Sequence, residues 1–353
     1  MAGLLTRLSM PLVGILAAVT TLTLSAFGNP ENMGFCVACF LRDTAGALGF
    51  HGSTQAAYLR PEVIGIVLGA FLFSAARKEF APRGGSAPLS RFVLGFCLMV
   101  GALVFLGCPL RMMTRIAGGD LNAVVGLAGF AAGIFAGVFF LNRGFTLKRT
   151  YDVTKTDGYL LPIAALVLLL LLVVLPGSLV FSETGPGSMR APLLMALAAG
   201  LIMGAAGFAT RLCFVAGIRD SVLFRDFAMF GVFAVFIAVV FVGNLFLGSF
   251  NPGFQYQSIA HTEGLWNFLG MMLVGLCSVL LGGCPFKQVV LAGSGNSDSA
   301  VTVLGMTGGA AFAHNFDLAS SAAGVTANGK IGLALFFALT VSIAILNTAP
   351  AKR

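Results

Sequence analysis

Of 353 residues, 58% are hydrophobic and only 10% charged, against roughly 25% charged in an average soluble domain; with a mean hydropathy of +0.96, a water-soluble globule is excluded. The net charge of +8 does not point to nucleic acid, because the Lys and Arg residues stand in short loops beside apolar runs, where they set membrane topology.

In chain order, the composition predicts an all-α integral membrane protein. Apolar helices are expected near 8–27, 61–80, 91–116, 120–141, 159–182, 191–210, 226–248, 265–292, 300–316 and 331–348, since a bilayer core of about 30 Å needs roughly 20 apolar residues per crossing. The first, behind Arg7, is longer than a signal-peptide core of about 7 to 15 residues and reads as a membrane helix. The short stretches 36–50 and 213–224 read as re-entrant segments.

The chain also repeats itself. Cys36-Val-Ala-Cys39-Phe-Leu-Arg42-Asp43 recurs 177 residues on as Cys213-Phe-Val-Ala-Gly-Ile-Arg219-Asp220, and Gly107-Cys108-Pro109-Leu-Arg111 recurs 176 on as Gly283-Cys284-Pro285-Phe-Lys287. Gly129 and Gly133 match Gly305 and Gly309 in the same register. Two related halves are therefore expected, 1–156 and 157–353, forming one membrane domain. Arg77, Lys78, Arg83 and Arg91 crowd one loop, whereas its counterpart 249–264 has neither Lys nor Arg. Corresponding loops then lie on opposite sides, an inverted-topology repeat with ten crossings and both termini in the cytoplasm.

A Gly-Cys-Pro within an apolar run predicts a broken helix. Glycine lets the chain leave the first segment, the cysteine caps, and proline starts the next. The new N-terminus offers unpaired N–H groups and partial positive charge to an anion, and such a break is tolerated in lipid only where protein or a cavity shields it. Cys108 and Cys284 at these breaks are the first candidates for a substrate site, and Cys36 and Cys213 head the paired Cys-x5-Arg-Asp motifs. Cys39, Arg42, Asp43, Arg111, Arg219, Asp220 and Lys287 form a second rank, because charges at membrane depth are costly and usually line a functional cavity. Arg111, Arg115, Lys287 and Arg211 are expected near the mouths, steering anions. Asp43 and Asp220 are the candidates for proton coupling.

Other features point away from catalysis and cofactors. Cys36-x-x-Cys39 has no second Cys-x-x-Cys and its repeat position is Ala216, so no metal site is expected. Cys97 and Cys277 read as packing thiols. Gly129, Gly133 and Gly137 read as a helix-packing stripe, and no Gly-x-x-x-x-Gly-Lys-Ser/Thr phosphate loop occurs. His51, His261 and His314 are too few and too scattered in sequence for haem ligation, and His261 with Glu263 is placed in an external loop. No catalytic residue and no cofactor is assigned.

The paired Cys-x5-Arg-Asp and Gly-Cys-Pro motifs resemble the YeeE/YedE family of sulfur-compound transporters, over essentially the whole chain. Met33-Gly-Phe-Cys-Val-Ala-Cys-Phe-Leu-Arg-Asp-Thr-Ala-Gly-Ala-Leu-Gly49 and Ala311-Phe-Ala-His-Asn-Phe-Asp-Leu-Ala-Ser-Ser321 resemble its YedE-type selenium-transporter branch. The resemblance implies an hourglass of helices with half-helices meeting at a waist. It also implies uptake of thiosulfate or a selenium anion past Cys36, Cys108, Cys213 and Cys284, a SirA/TusA-like sulfur carrier in the cytosol as partner, and a bacterial inner-membrane location. Cys39 and the basic residue after each Gly-Cys-Pro depart from the simplest family pattern. The other readings are a membrane sulfurtransferase that forms a cysteine persulfide and a purely structural membrane partner.

Overall fold

The computed structural model describes residues 2–348, with side chains from Met10 onward. The side chain of Arg7 and the two chain ends fall outside that description, and with them the expected sidedness of the termini.

The first seven helices are α1 (Ala2–Ala26), α2 (Val37–Ala47), α3 (Pro61–Ala76), α4 (Pro88–Phe105), α5 (Pro109–Ala117), α6 (Leu121–Asn142) and α7 (Lys155–Val174). The next seven are α8 (Leu193–Thr210), α9 (Ala216–Leu223), α10 (Ala228–Leu247), α11 (Gly264–Leu281), α12 (Pro285–Gly293), α13 (Ser297–Asn315) and α14 (Ala327–Leu346). Two residues each of β1 (Arg83–Gly84) and β2 (Tyr151–Asp152) pair antiparallel outside the helices.

Among the described residues, seven segments are long and apolar enough to cross a bilayer: α4 with α5, α6, α7, α8, α10, α11 with α12, and α14. Met10–Ala26 and α3 are apolar but shorter, and α13 carries the buried Asp298. The chain is thus a helical, membrane-embedded protein. Its apolar exposure fits lipid contact: Leu160, Ile163, Val167 and Leu170 form an exposed face on α7.

Helix ends follow local chemistry. The seventh helix begins at Lys155, ahead of the expected 159, because the Thr154 hydroxyl accepts the Asp157 N–H (3.4 Å) as an N-cap, and it stops before Pro176-Gly177. The expected helix 91–116 is interrupted between α4 and α5, and 265–292 between α11 and α12, at the two Gly-Cys-Pro sites. At each break the chain turns through the left-handed region, at Leu106 (φ 64°) and at Gly282 (φ 80°).

Small residues set the packing. Gly129 and Gly133 of α6 face the carbonyls of Phe268 and Met272 on α11, so these helices run parallel. Gly305 and Gly309 of α13 face the carbonyls of Phe92 and Phe96 on α4, in the same sense. Parallel pairs also form between α3 and α8, where Gly65 meets Leu197 and Gly69 meets Leu201, and between α1 and α10, where Gly14 meets Val232 and Gly243 meets Leu22. At the centre α4 crosses α11 where Gly101 and Gly270 oppose each other's carbonyls. Isolated bridges tie Asp120 to Gly253 and Arg83 to Asn296.

Candidate functional site

Each break presents a helix N-terminus to a second short helix. Cys36 is the N-cap of α2 in extended conformation, its sulfur accepting the Cys39 N–H at 3.4 Å, with Cys39 Sγ 2.9 Å away. Cys108 is the N-cap of α5, with Pro109 at the first helical position. Its sulfur lies beside the Cys36 thiol and close to the backbone of Arg111 and Ala38. In the second half Cys284 caps α12, again before a proline. It lies beside the Cys213 thiol and close to the backbone of Lys287 and Phe214, while Cys213 lies close to the backbone of Ala216. All four thiols are buried.

The four primary candidates therefore fall into two neighbouring pairs, Cys36 with Cys108 and Cys213 with Cys284. Each pair lies near two helix N-termini, with Cys36, Cys108 and Cys284 as N-caps and Cys213 two residues ahead of the N-cap Val215. Such a place suits an anion, because backbone donors and the helix dipole both favour negative charge. A thiol adds a weak S–H donor.

Charged groups distribute unequally around the pairs. Beside the first, Asp43 binds Arg42 (2.6 Å) through one oxygen and Arg60 (2.8 Å) through the other, all three buried. Asn29 joins Arg60 (3.4 Å) to Glu62 (2.8 Å). Arg115 pairs with Asp120 at 2.7 Å and donates to the Phe105 carbonyl (2.9 Å). Arg111 reaches Cys39 Sγ at 3.7 Å, Asn32 Oδ1 at 3.0 Å and the Leu106 carbonyl. Both Arg111 and Arg115 are fully buried, not at a mouth as the sequence suggested, because their helix turns back into the protein at the break. Beside the second pair, among the described residues, only Arg219 and Asp220 form an ion pair (2.7 Å), and it is partly open to solvent.

Cavities lie at both ends of the parallel pair α3 and α8. One of about 790 Å³ is lined by Arg77, Arg83, Arg211 and Lys287, with Glu79 the acid among them, beyond the C-terminal ends of both helices. Another of about 310 Å³ lies before their N-terminal ends and is lined by Arg42, Gln55, Pro186, His314 and Ser320. The basic cavity approaches the second thiol pair through Lys287, and the smaller one approaches the first through Arg42 and Leu106.

Among the described residues, no cluster of three or more His, Cys, Asp or Glu could hold a metal. Cys97 and Cys277 are buried together near Thr340, which lies 3.5 Å from Cys277 Sγ. His51 and His314, far apart in sequence, stack with ring centroids 4.5 Å apart, and His51 Nε2 sits 3.0 Å from the Arg42 carbonyl oxygen.

Residues 209–350 match the family model Sulf_transp, described as sulphur transport. That stretch is similar to the sulphur-transport family. It contains Cys213, Arg219, Asp220, Cys284 and Lys287, hence the whole second thiol pair. No curated protein matches the chain.

Sequence reading missed Asn29, Asn32, Arg60, Glu62 and Asp120. For three of them a signal existed: Arg60-Pro61-Glu62 opens an apolar helix, and Asp120 follows α5, just beyond the first break, so each is a costly charge in a chain with few. Asn29 and Asn32 gave no signal, since a polar residue in a loop is ordinary.

Proposed function

We propose that the protein is a transporter that carries a small sulfur- or selenium-containing anion, thiosulfate-like or a selenium oxyanion, across a bacterial inner membrane past the two thiol pairs. The observation that carries this reading is the pairing itself: each pair of sulfurs lies near two helix N-termini, and the two pairs lie toward cavities at opposite ends of the molecule. An anion entering the basic cavity would exchange water for backbone N–H and S–H donors. Weak donors bind without trapping, which is what conduction needs.

The architecture behind this is an inverted repeat of ten crossings, with both termini cytoplasmic. Equivalent contacts support it: Gly129 on Phe268 and Gly133 on Met272 recur, shifted by 176 residues, as Gly305 on Phe92 and Gly309 on Phe96. On this reading the halves are α1–α7 and α8–α14. The division then falls between Val174 and Leu193, not at 156/157, which lies in the first turn of α7. The basic rim of Arg77, Arg83 and Arg211 would face the cytosol, where a SirA/TusA-like carrier could accept the sulfur species.

The test is uptake of thiosulfate, selenite and sulfate by purified protein in liposomes, comparing wild type with Cys108→Ala and Cys284→Ala. Saturable uptake of a sulfur or selenium species, lost in both variants, is expected. Uptake indifferent to both cysteines would sink the thiol pathway. Absence of uptake together with a persulfide on Cys36 or Cys213 by mass spectrometry would favour the sulfurtransferase.

A further inference from the structure

The buried guanidinium groups of the first half are not all matched with carboxylates. Arg42 and Arg60 share Asp43, and Arg115 has Asp120. Arg111 is fully buried, yet among the described residues no carboxylate lies within ion-pair distance of it. Its partners are neutral: the Leu106 carbonyl, Asn32 Oδ1 (3.0 Å), the carbonyls of Ile259 (3.1 Å) and Ser258 (3.4 Å), and Cys39 Sγ (3.7 Å). Its Nε–H has no partner at all. A buried cation without a counter-charge loses solvation that its neutral partners do not fully replace, a cost that an arriving anion would offset.

The head of this side chain is at Cys39, and the backbone of the same residue lies close to the Cys108 sulfur. Arg111 thus brackets the first thiol pair. Its counterpart Lys287 instead lines the open basic cavity, where water screens it.

We propose that Arg111 is the charge-selecting contact of the first thiol pair, making that site prefer a doubly charged sulfur or selenium oxyanion over a singly charged one. The inference rests on the transport reading above. Attraction to a fixed cation scales with the charge of the anion, and a planar fork with a free N–H matches an oxyanion as a single ammonium does not.

A structural role is the rival: Arg111 could serve only to hold the left-handed turn at Leu106 through its bond to that carbonyl. Two variants separate them. Arg111→Gln removes the charge. Asn32→Asp leaves Arg111 in place and sets a carboxylate against its Nη2, at the expense of the Asn32 bond to Ser258 (3.0 Å); its left-handed φ of 50° is one that Asp tolerates. In liposomes, uptake of thiosulfate, a dianion, is measured with thiocyanate, a monoanion, as competitor. In both variants the half-saturation for thiosulfate should rise about tenfold or more, the scale of a lost charge-assisted hydrogen bond, with thiocyanate inhibition nearly unchanged. Equal weakening of both anions, or an Asn32→Asp protein that selects like wild type, would overturn the assignment while leaving transport intact. Should Arg111→Gln not fold, Asn32→Asp decides alone. Wild-type protein that moves no thiosulfate would overturn the transport reading itself, and this one with it.

Discussion

The two thiol pairs share a backbone frame and differ in nearly everything around it. Both place sulfur at the start of a short helix before a proline, and both turn the preceding chain through the left-handed region. The first does so with Leu106, whose carbonyl takes a bond from Arg111; the second does so with Gly282, and its basic residue, Lys287, lines an open cavity. A bulky residue in that conformation is strained where glycine is not. The first pair is accordingly packed in by a buried ionic network, and the second stands under an open basic cavity. What duplication fixes is main-chain geometry, which glycine and proline encode; what it leaves free is the charge that each copy gathers.

The sharpest way to break this comparison is to remove its most unequal element. In Asp43→Asn, Arg42 and Arg60 lose their shared carboxylate in the interior, a change expected to destabilise by about 3–5 kcal/mol and to show as poor recovery and a large fall in Tm in detergent. Asp220→Asn, whose ion pair is partly solvated, should cost no more than about 1 kcal/mol. Equal losses would mean that the burial contrast between the halves has no energetic content.

The helix contacts test the opposite claim, that the frame is common to both copies. A methyl added at Gly129 would meet the Phe268 carbonyl, and one at Gly305 the Phe92 carbonyl. Backbone cannot yield as a side chain does, so Gly129→Ala and Gly305→Ala should each destabilise by about 1–3 kcal/mol, and by similar amounts. A harmless Gly305→Ala beside a damaging Gly129→Ala in thermal unfolding would break the equivalence.

These contrasts also mark how far the sequence could be read. Both helix breaks were legible because Gly-Cys-Pro combines a residue that permits a left-handed turn with one that starts a helix, and α2 and α9 were legible as short apolar stretches. Pairing of Cys36 with Cys108 was not, since 72 positions separate them and only the folding back of α2 against the break joins them. Arg111 was legible as a charge near a cysteine, but its burial was not: an arginine in an apolar run looks the same whether it turns inward to carbonyls or outward to water. The stacking of His51 on His314 depends on a loop and a distant helix end meeting, and no local pattern encodes that.

The cavities sharpen the comparison by rate. If Arg83 and Arg211 draw anions toward Lys287, the double variant Arg83→Gln with Arg211→Gln should slow uptake at limiting substrate by about threefold to tenfold at low ionic strength. The difference should vanish near roughly 1 M salt, where screening acts over only about 3 Å. A salt-independent defect would assign these residues to structure instead.

The smallest effect is expected where a charge sits outside the membrane-spanning helices. The Glu263 carboxylate accepts the Val325 N–H (2.8 Å) and faces the Lys330 ammonium (3.1 Å), and these two contacts, the backbone donor foremost, hold its carboxyl below the usual carboxylate range. A carboxyl depressed on folding contributes stability that is complete above the unfolded value of about 4.3 and lost as pH falls through the lower folded value. The group is a third exposed, so solvent screening keeps the contribution under about 1 kcal/mol. Glu263→Gln keeps an acceptor for Val325 but no charge, so its Tm deficit against wild type should be small at neutral pH and close once the pH drops below the folded value. A deficit that persists in acid would assign the contact to hydrogen bonding alone, and would leave Asp43, deep in the first half, as the place where a carboxylate's charge matters most.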